Sequence, residues 1–221
     1  MQSFFHILTA TALASKLFMA SASATPENHL LAQHSISLED RYPITSVNQV
    51  FKDNILLSLN YMSGHVHTAQ DINWESIEKP YAYTFTLEPD KTFAFHDLVL
   101  PHYKDTITQT THADFSAEEG FKSDGYLYGD GVCHLASLID WVAKDAGLTV
   151  VAPTAHDFAV IPDIAKENGV AIYAQENEPL ASEEQNLYIT NNNTTPAIFH
   201  FTYDGNILTV SIGKMQDIKT D

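Results

Sequence analysis

At 221 residues, with 44% hydrophobic and 18% charged side chains, the chain has the length and composition of one globular domain, neither disordered nor fibrous. Eleven basic residues against 28 acidic ones give a net charge of −17, which argues against nucleic acid or an anionic membrane surface as partners, since both require Lys/Arg patches. A single cysteine, Cys133, excludes an internal disulfide framework and a Cys-rich zinc module.

From Phe4 to Ala24 the residues are apolar or small, interrupted by His6 and Lys16. The run ends in Ala22-Ser23-Ala24, a small-x-small cleavage pattern, before the polar Thr25-Pro26-Glu27-Asn28. An export signal over residues 1–24 is expected. The lack of a basic residue before the run, and Lys16 within it, leave a retained anchor and a loosely packed helix as alternatives. The run is too short and too interrupted for a transmembrane helix. Residues 25–43 are polar, carry the only arginine, Arg41, and read as an arm. The domain proper is expected over residues 44–213, with a tail at 214–221.

Between residues 46 and 62, Val47, Val50, Phe51, Ile55, Leu56, Leu59 and Tyr61 follow helical spacing, with Ser46 as cap and Ser63-Gly64 as stop. Residues 82–87 and 92–95 alternate as strands around the turn Glu88-Pro89-Asp90-Lys91. Leu135, Leu138, Ile139, Val142 and Ala146 form the clearest apolar stripe in the chain, closed by Gly147, and residues 148–151 read as a strand. Residues 175–186 show no periodicity and read as a loop. Leu187-Tyr188-Ile189 begins a strand-rich end, in which residues 198–203 and 207–212 flank Asp204-Gly205-Asn206 as a hairpin. The expected fold is a single α+β domain, an antiparallel sheet packed on a central helix that starts at the Gly-rich, Cys-containing turn.

Cys133 follows Gly129-Asp130-Gly131-Val132 and falls in the first turn of that helix. There the dipole and free N–H groups favour an anion and lower a thiol's pKa. The flanking glycines would let a substrate backbone approach closely. On the wheel, Cys133 lies off the apolar stripe, on a face shared with Ser137 and Asp140. A nucleophilic cysteine needs a base. His134 points about 100° away on the helix. His156, after the strand at 148–151, is the better candidate, with Asp157 or Asp163 to orient it. The bland alternatives stay open: a buried structural thiol and a loop histidine. His65-x-His67 has strand-face spacing but no third ligand, so no metal site is assigned. The sequons at Asn192 and Asn193 mark an exposed turn.

The run Tyr126-Leu127-Tyr128-Gly129-Asp130-Gly131-Val132-Cys133-His134-Leu135-Ala136-Ser137 resembles the Gly-Gly-Gly-x-Cys-Gln-x-Ser signature of the VanW family of bacterial envelope proteins. The similarity extends from about residue 82 to 213. Glu88 to Phe95 is similar to the family's Pro-Gly-x-Thr-Phe-Ser-Phe segment, and Glu119-Gly120-Phe121 to its Gly-Tyr step. Ala146-Gly147-Leu148 matches Ala-Gly-Leu, His156 stands at the His of a His-Ser pair, and residues 186–196 and 208–210 follow the terminal strands. Asp130, His134 and Asp157 depart from the family's Gly, Gln and Ser, and residues 167–172 lack its aspartate. The resemblance implies an exported or cell-envelope location and a cell-wall peptide or glycan as partner, with no cofactor.

Two functions follow as expectations. The first is a thiol-dependent hydrolase or acyl transferase acting on peptidoglycan-type peptides. Cys133 would be nucleophile, His156 base and Asp157 its orienting group, with Gly129, Asp130, Gly131, His134 and Ser137 lining the substrate and the N–H groups of residues 132–134 as oxyanion donors. The second is a non-catalytic cell-wall-binding or structural module in which Cys133 is structural.

Overall fold

The computed structural model describes residues 28–125 and 128–215; the expected export signal lies outside them. The order is β1 (Asn28–Ser37), α1 (Thr45–Met62), α2 (Trp74–Ile77), β2 (Tyr81–Leu87), β3 (Thr92–Ala94), β4 (Ile107–Gln109), α3 (Val132–Asp145), β5 (Thr149–Val151), α4 (Pro179–Glu184), β6 (Tyr188–Thr190), β7 (Ala197–Tyr203) and β8 (Ile207–Met215). One sheet runs β1-β8-β7-β2 and is antiparallel throughout. The second runs β4-β3-β6-β5, with only the β3–β4 pair parallel.

The β7–β8 hairpin forms where the alternation predicts it. Ala197, Phe199, Phe201 and Tyr203 are buried at every second position, as are Leu208, Val210 and Ile212. Phe199 stacks on Phe85 of β2 with ring centroids 4.6 Å apart. At the turn, the Asp204 carboxylate accepts the N–H groups of Asn206 and Ile207. Leu135, Leu138, Ile139 and Val142 bury the stripe of α3, and the helix stops at Gly147 with φ +76°. One hydrophobic core runs through both sheets and both long helices. The chain is an α+β domain with antiparallel sheets packed against helices, as the sequence predicts.

α1 is more central than a surface helix. Every residue from 53 to 62 is buried, so its polar side chains need internal partners. Ser58 and Asn60 donate to the carbonyls four residues back. The helix starts one residue before the expected Ser46 cap, with no side-chain cap bond.

Three sequence expectations are corrected. The arm at 25–43 contains β1, a ten-residue edge strand paired with β8. A bulge between Leu30 and Ala32 breaks its alternation, and its buried face carries Ala32 and His34 before Ile36, which leaves little apolar signal. The strands expected around the turn at 88–91 form as β2 and β3, which join different sheets. The loop at 175–186 contains α4, a single short helix with Pro179 in its first turn. Lys214 and Met215 extend β8 and pair with His29 and Asn28, so they are not tail. Among the described residues no helix is long and apolar enough to cross a membrane.

The turn into α3 supplies a direct test of packing against backbone strain. Gly131 has φ +100°, and a Cβ there would sit 2.7 Å from the Phe51 carbonyl oxygen. Gly147 has φ +76° with open space around it. Gly147→Ala is expected to cost about 1–2 kcal/mol from the left-handed conformation alone. Gly131→Ala carries the same strain plus a backbone collision and should cost about 3 kcal/mol or more. Urea unfolding of both variants checks this, and equal losses would disprove the Phe51 contact as the reason for glycine at 131.

Candidate functional site

The site lies at the N-terminus of α3. Gly129 and Gly131 have positive φ, and each sits where a Cβ would strike a neighbour: Phe115 Cβ at 2.8 Å for Gly129, and the Phe51 backbone for Gly131. These glycines therefore let the turn seat on the protein itself, which replaces the expectation that they admit a substrate backbone. The turn is held from beneath by Asn54 of α1. Its amide donates to the carbonyls of Lys122 and Asp130, both at 2.9 Å, and its oxygen accepts the Lys122 N–H at 2.8 Å. Asp130 is partly buried; desolvation raises its carboxyl pKa against the lowering pull of the Asp124 N–H.

The polar face of α3 is covered by residues 167–172. Ser137 Oγ donates to the Cys133 carbonyl at 2.7 Å and accepts the Val170 N–H at 2.9 Å. Cys133 Sγ accepts the Ile172 N–H at 3.4 Å and lies 3.9 Å from the Ile172 carbonyl oxygen, as a weak donor. Below them Lys144 pairs with the fully buried Asp140 at 2.6 Å and donates to the Glu167 carbonyl at 3.0 Å. Cys133, Ser137, Asp140 and Lys144 thus dock one extended segment along one side of the helix. Ser137 does not line the cleft described below.

The structure reverses the expected electrostatics at the thiol. Burial pushes the Cys133 pKa up to about 11, with the nearby Asp130 adding to the rise and the Ile172 N–H opposing it. Desolvation outweighs the helix N-terminus, because the thiol faces protein instead of solvent. At neutral pH the thiol is therefore overwhelmingly protonated. Two of the three expected oxyanion donors are likewise taken up: the Val132 N–H bonds to Gly129 O at 3.0 Å and the His134 N–H to Gly131 O at 2.9 Å.

His156 does reach this end of the helix, carried by the Ala155–Val170 bridge and its own N–H bond to Gly169 O at 3.0 Å. It forms no hydrogen bond with Cys133 among the described residues. Its ring instead meets His134 edge-on, with centroids 6.4 Å apart, and packs on Phe158 at 4.0 Å. Burial lowers its pKa, opposed by backbone hydrogen bonds at His156 and Ala159 and then by the charge of Asp157. Asp157 is exposed, and Asp163 is paired with Arg41. The Cys–His–Asp arrangement is therefore not assembled. His65 and His67 lie in an exposed loop after α1 instead of on a strand, and no metal-binding cluster of His, Cys, Asp or Glu occurs among the described residues.

What the fold does assemble is a cleft of about 340 Å³. Gly129, Asp130, Gly131, Cys133, His134 and His156 all line it, so the expected site residues are mostly brought together. Arg41, Tyr42, Phe51, Tyr128, Phe158 and Tyr173 complete the wall, and these were not assigned from sequence. Arg41 is only 1% exposed; Nη1 donates to Pro162 O at 2.9 Å and Nη2 to Asp163 at 2.5 Å. Its being the only arginine was the one available signal. Tyr42, Tyr128 and Phe158 are 41%, 58% and 75% exposed and form an aromatic rim. His134 is buried against Phe51, and its pKa is pushed down to about 3 by burial, with Arg41 and His156 adding charge repulsion.

Two outcomes follow. Native Cys133 should react with iodoacetamide at neutral pH far more slowly than the urea-unfolded chain does, because its pKa is raised to about 11. Fast labelling of the native protein would overturn the protected thiol. Stability should also fall on mild acidification. Burial holds the His134 pKa at about 3 and that of the fully buried His96 at about 4, both below the ordinary histidine value. The folded state keeps both rings neutral, so their contribution is complete above the unfolded pKa of about 6.5 and declines as pH drops through the interval below it. The slope is about 1.4 kcal/mol per pH unit for each ring, opposed in the carboxylate range by Asp114, Asp130 and Asp140, whose pKa values are raised. Unfolding midpoints at several pH values between 7 and 5 test this, and a flat profile would refute it.

Compared with protein-family models, curated proteins and solved structures, the chain gives no match.

Proposed function

We propose that the chain is a non-catalytic binding domain whose ligand, a cell-wall peptide or glycan, sits in the cleft at the N-terminus of α3. One observation carries the reading: the Cys133 thiol is held protonated against the Ile172 backbone, while an aromatic-rimmed cleft with a buried polar floor stands open beside it. Concave, mostly apolar pockets with a few convergent polar groups are the usual form of a small-ligand site. Flat rings at the rim suit a sugar face or an apolar side chain. The envelope setting belongs to the same proposal and rests on the VanW resemblance over residues 82–213 and on the signal-like first 24 residues. The competing thiol-enzyme reading would need Cys133 to leave Ile172, lose its proton and find a base.

Soluble peptidoglycan fragments titrated into the isotope-labelled full chain should shift the backbone resonances of Tyr42, Tyr128 and Phe158. Binding should persist in Cys133→Ser, which keeps a donor and an acceptor for Ile172, and weaken about tenfold in Tyr128→Ala, whose ring is mostly exposed. Turnover of the fragments that depends on Cys133, or shifts confined to other surfaces, would overturn the proposal.

A further inference from the structure

We infer that the floor of this cleft is an anion site, formed by Arg41, His134 and His156 at the positive end of α3, that takes a carboxylate of the ligand. The inference rests on the cleft being the ligand site and names the chemistry it selects.

The first argument is the placement of charge. In a chain of net charge −17 the single arginine is 1% exposed and lines this cleft. Its two Nη atoms are engaged by Pro162 and Asp163, but Nε has no partner among the described residues. A buried donor left unpaired costs about 1–3 kcal/mol, more when it is charged. The second argument is that it is not alone. His134 and His156 are 5% and 6% exposed, both line the cleft, and Nδ1 of each lacks a partner among the described residues. A neutral imidazole can carry its proton on Nδ1 and donate from there. Three buried, unpartnered nitrogens thus belong to side chains of one cleft wall, two of them on rings 6.4 Å apart. The third argument is the backbone: α3 spans 14 residues, and its N-terminal dipole favours negative charge at this end.

The surrounding groups decide which anion. Asp163 already neutralises part of the guanidinium, Asp130 lies in the turn, and Asp157 sits beside His156. One shared guanidinium and two neutral rings, with three carboxylates nearby, match a single negative charge better than the double charge of a phosphate. The rim of Tyr42, Tyr128 and Phe158 then adds an apolar or ring-bearing group next to the carboxylate. A peptide ending in a free carboxylate after an apolar residue has both parts.

Acetyl-alanyl-phenylalanine and its C-terminal amide differ in that charge alone and serve as probes, each titrated into the full chain by NMR. The acid should bind at least about tenfold more tightly than the amide, the value of one charge-assisted hydrogen bond. The preference should widen as pH falls below 6.5, because a bound anion raises the pKa of the two rings. It should shrink in His134→Gln and in Arg41→Lys, the second of which keeps a buried cation but lacks Nε; a folded spectrum of the acid-insensitive variant separates loss of the site from loss of the fold. Equal binding of acid and amide would overturn the anion site while leaving the binding domain intact. Failure of both probes to shift Tyr42, Tyr128 or Phe158, where peptidoglycan fragments do shift them, would overturn it as well. Failure of all of them would remove the cleft reading itself.

Discussion

One side-chain amide fixes the end of the molecule on which the candidate site depends. Asn54 sits in the fully buried stretch of α1 and holds both Lys122 and Asp130 by their backbones. The turn before α3 can then press its glycines against Phe51 and Phe115, which aims the helix N-terminus at the space bounded by Arg41, Tyr128 and His156. A buried amide of this kind is costly unless all its hydrogen-bonding capacity is used. Here both donors and the acceptor are used, so it specifies one placement of turn against helix. Asn186 repeats the device at the second sheet: its oxygen accepts the N–H groups of Phe95, His96 and Leu187, and its amide donates to the carbonyls of His96 and Leu98. Two buried asparagines, in this sense, fix what the apolar core alone leaves loosely specified.

The thiol shows how two correct physical effects compete. A helix N-terminus stabilises a thiolate, and desolvation destabilises it. The sequence places Cys133 at the N-terminus, but the outcome depends on what covers its face. Residues 167–172 cover it, contributing Ile172 backbone to the sulfur and Val170 backbone to Ser137. The helix dipole falls off within a turn, whereas the partly buried sulfur sits against the Ile172 backbone, and desolvation wins. The same covering explains why the face carries Cys133 and Ser137. It meets backbone, and backbone groups demand hydrogen-bonding side chains.

Legibility followed the range of each interaction. The α3 stripe and the β7–β8 hairpin are local patterns, and both formed where their periods predict. β1 was illegible because a bulge and a half-buried histidine remove its alternation. His34 earns its inward place only by stacking on Trp141 and bonding Asp145, contacts made across more than a hundred residues. The partition of β2 and β3 into separate sheets was equally illegible, since a turn sequence records a change of direction and not the next partner. At the site, the residues around Cys133 and His156 were found because type and spacing signal chemistry. Arg41, Phe51 and Phe158 were not, because they enter from three distant segments. Their role exists only once α1 and the loop after β5 close on α3.

The overall acidity and the local chemistry of the cleft work on different length scales. Charges farther apart than about 8 Å are largely screened at physiological ionic strength. The net charge of −17 therefore governs solubility and the approach of partners, not the free energy of a group seated beside Arg41. Inside the cleft the relevant medium is the low-dielectric wall of Phe51, Ile172 and the two imidazoles, where an unpaired N–H counts for more than it does in water. Burying the only arginine there, and keeping both histidines neutral by desolvation, concentrates donors while avoiding three fixed positive charges in one place. A wall of that composition discriminates by hydrogen bonding at contact, after a partner has arrived, and that suits a domain whose surface repels anions until they are within a few ångströms.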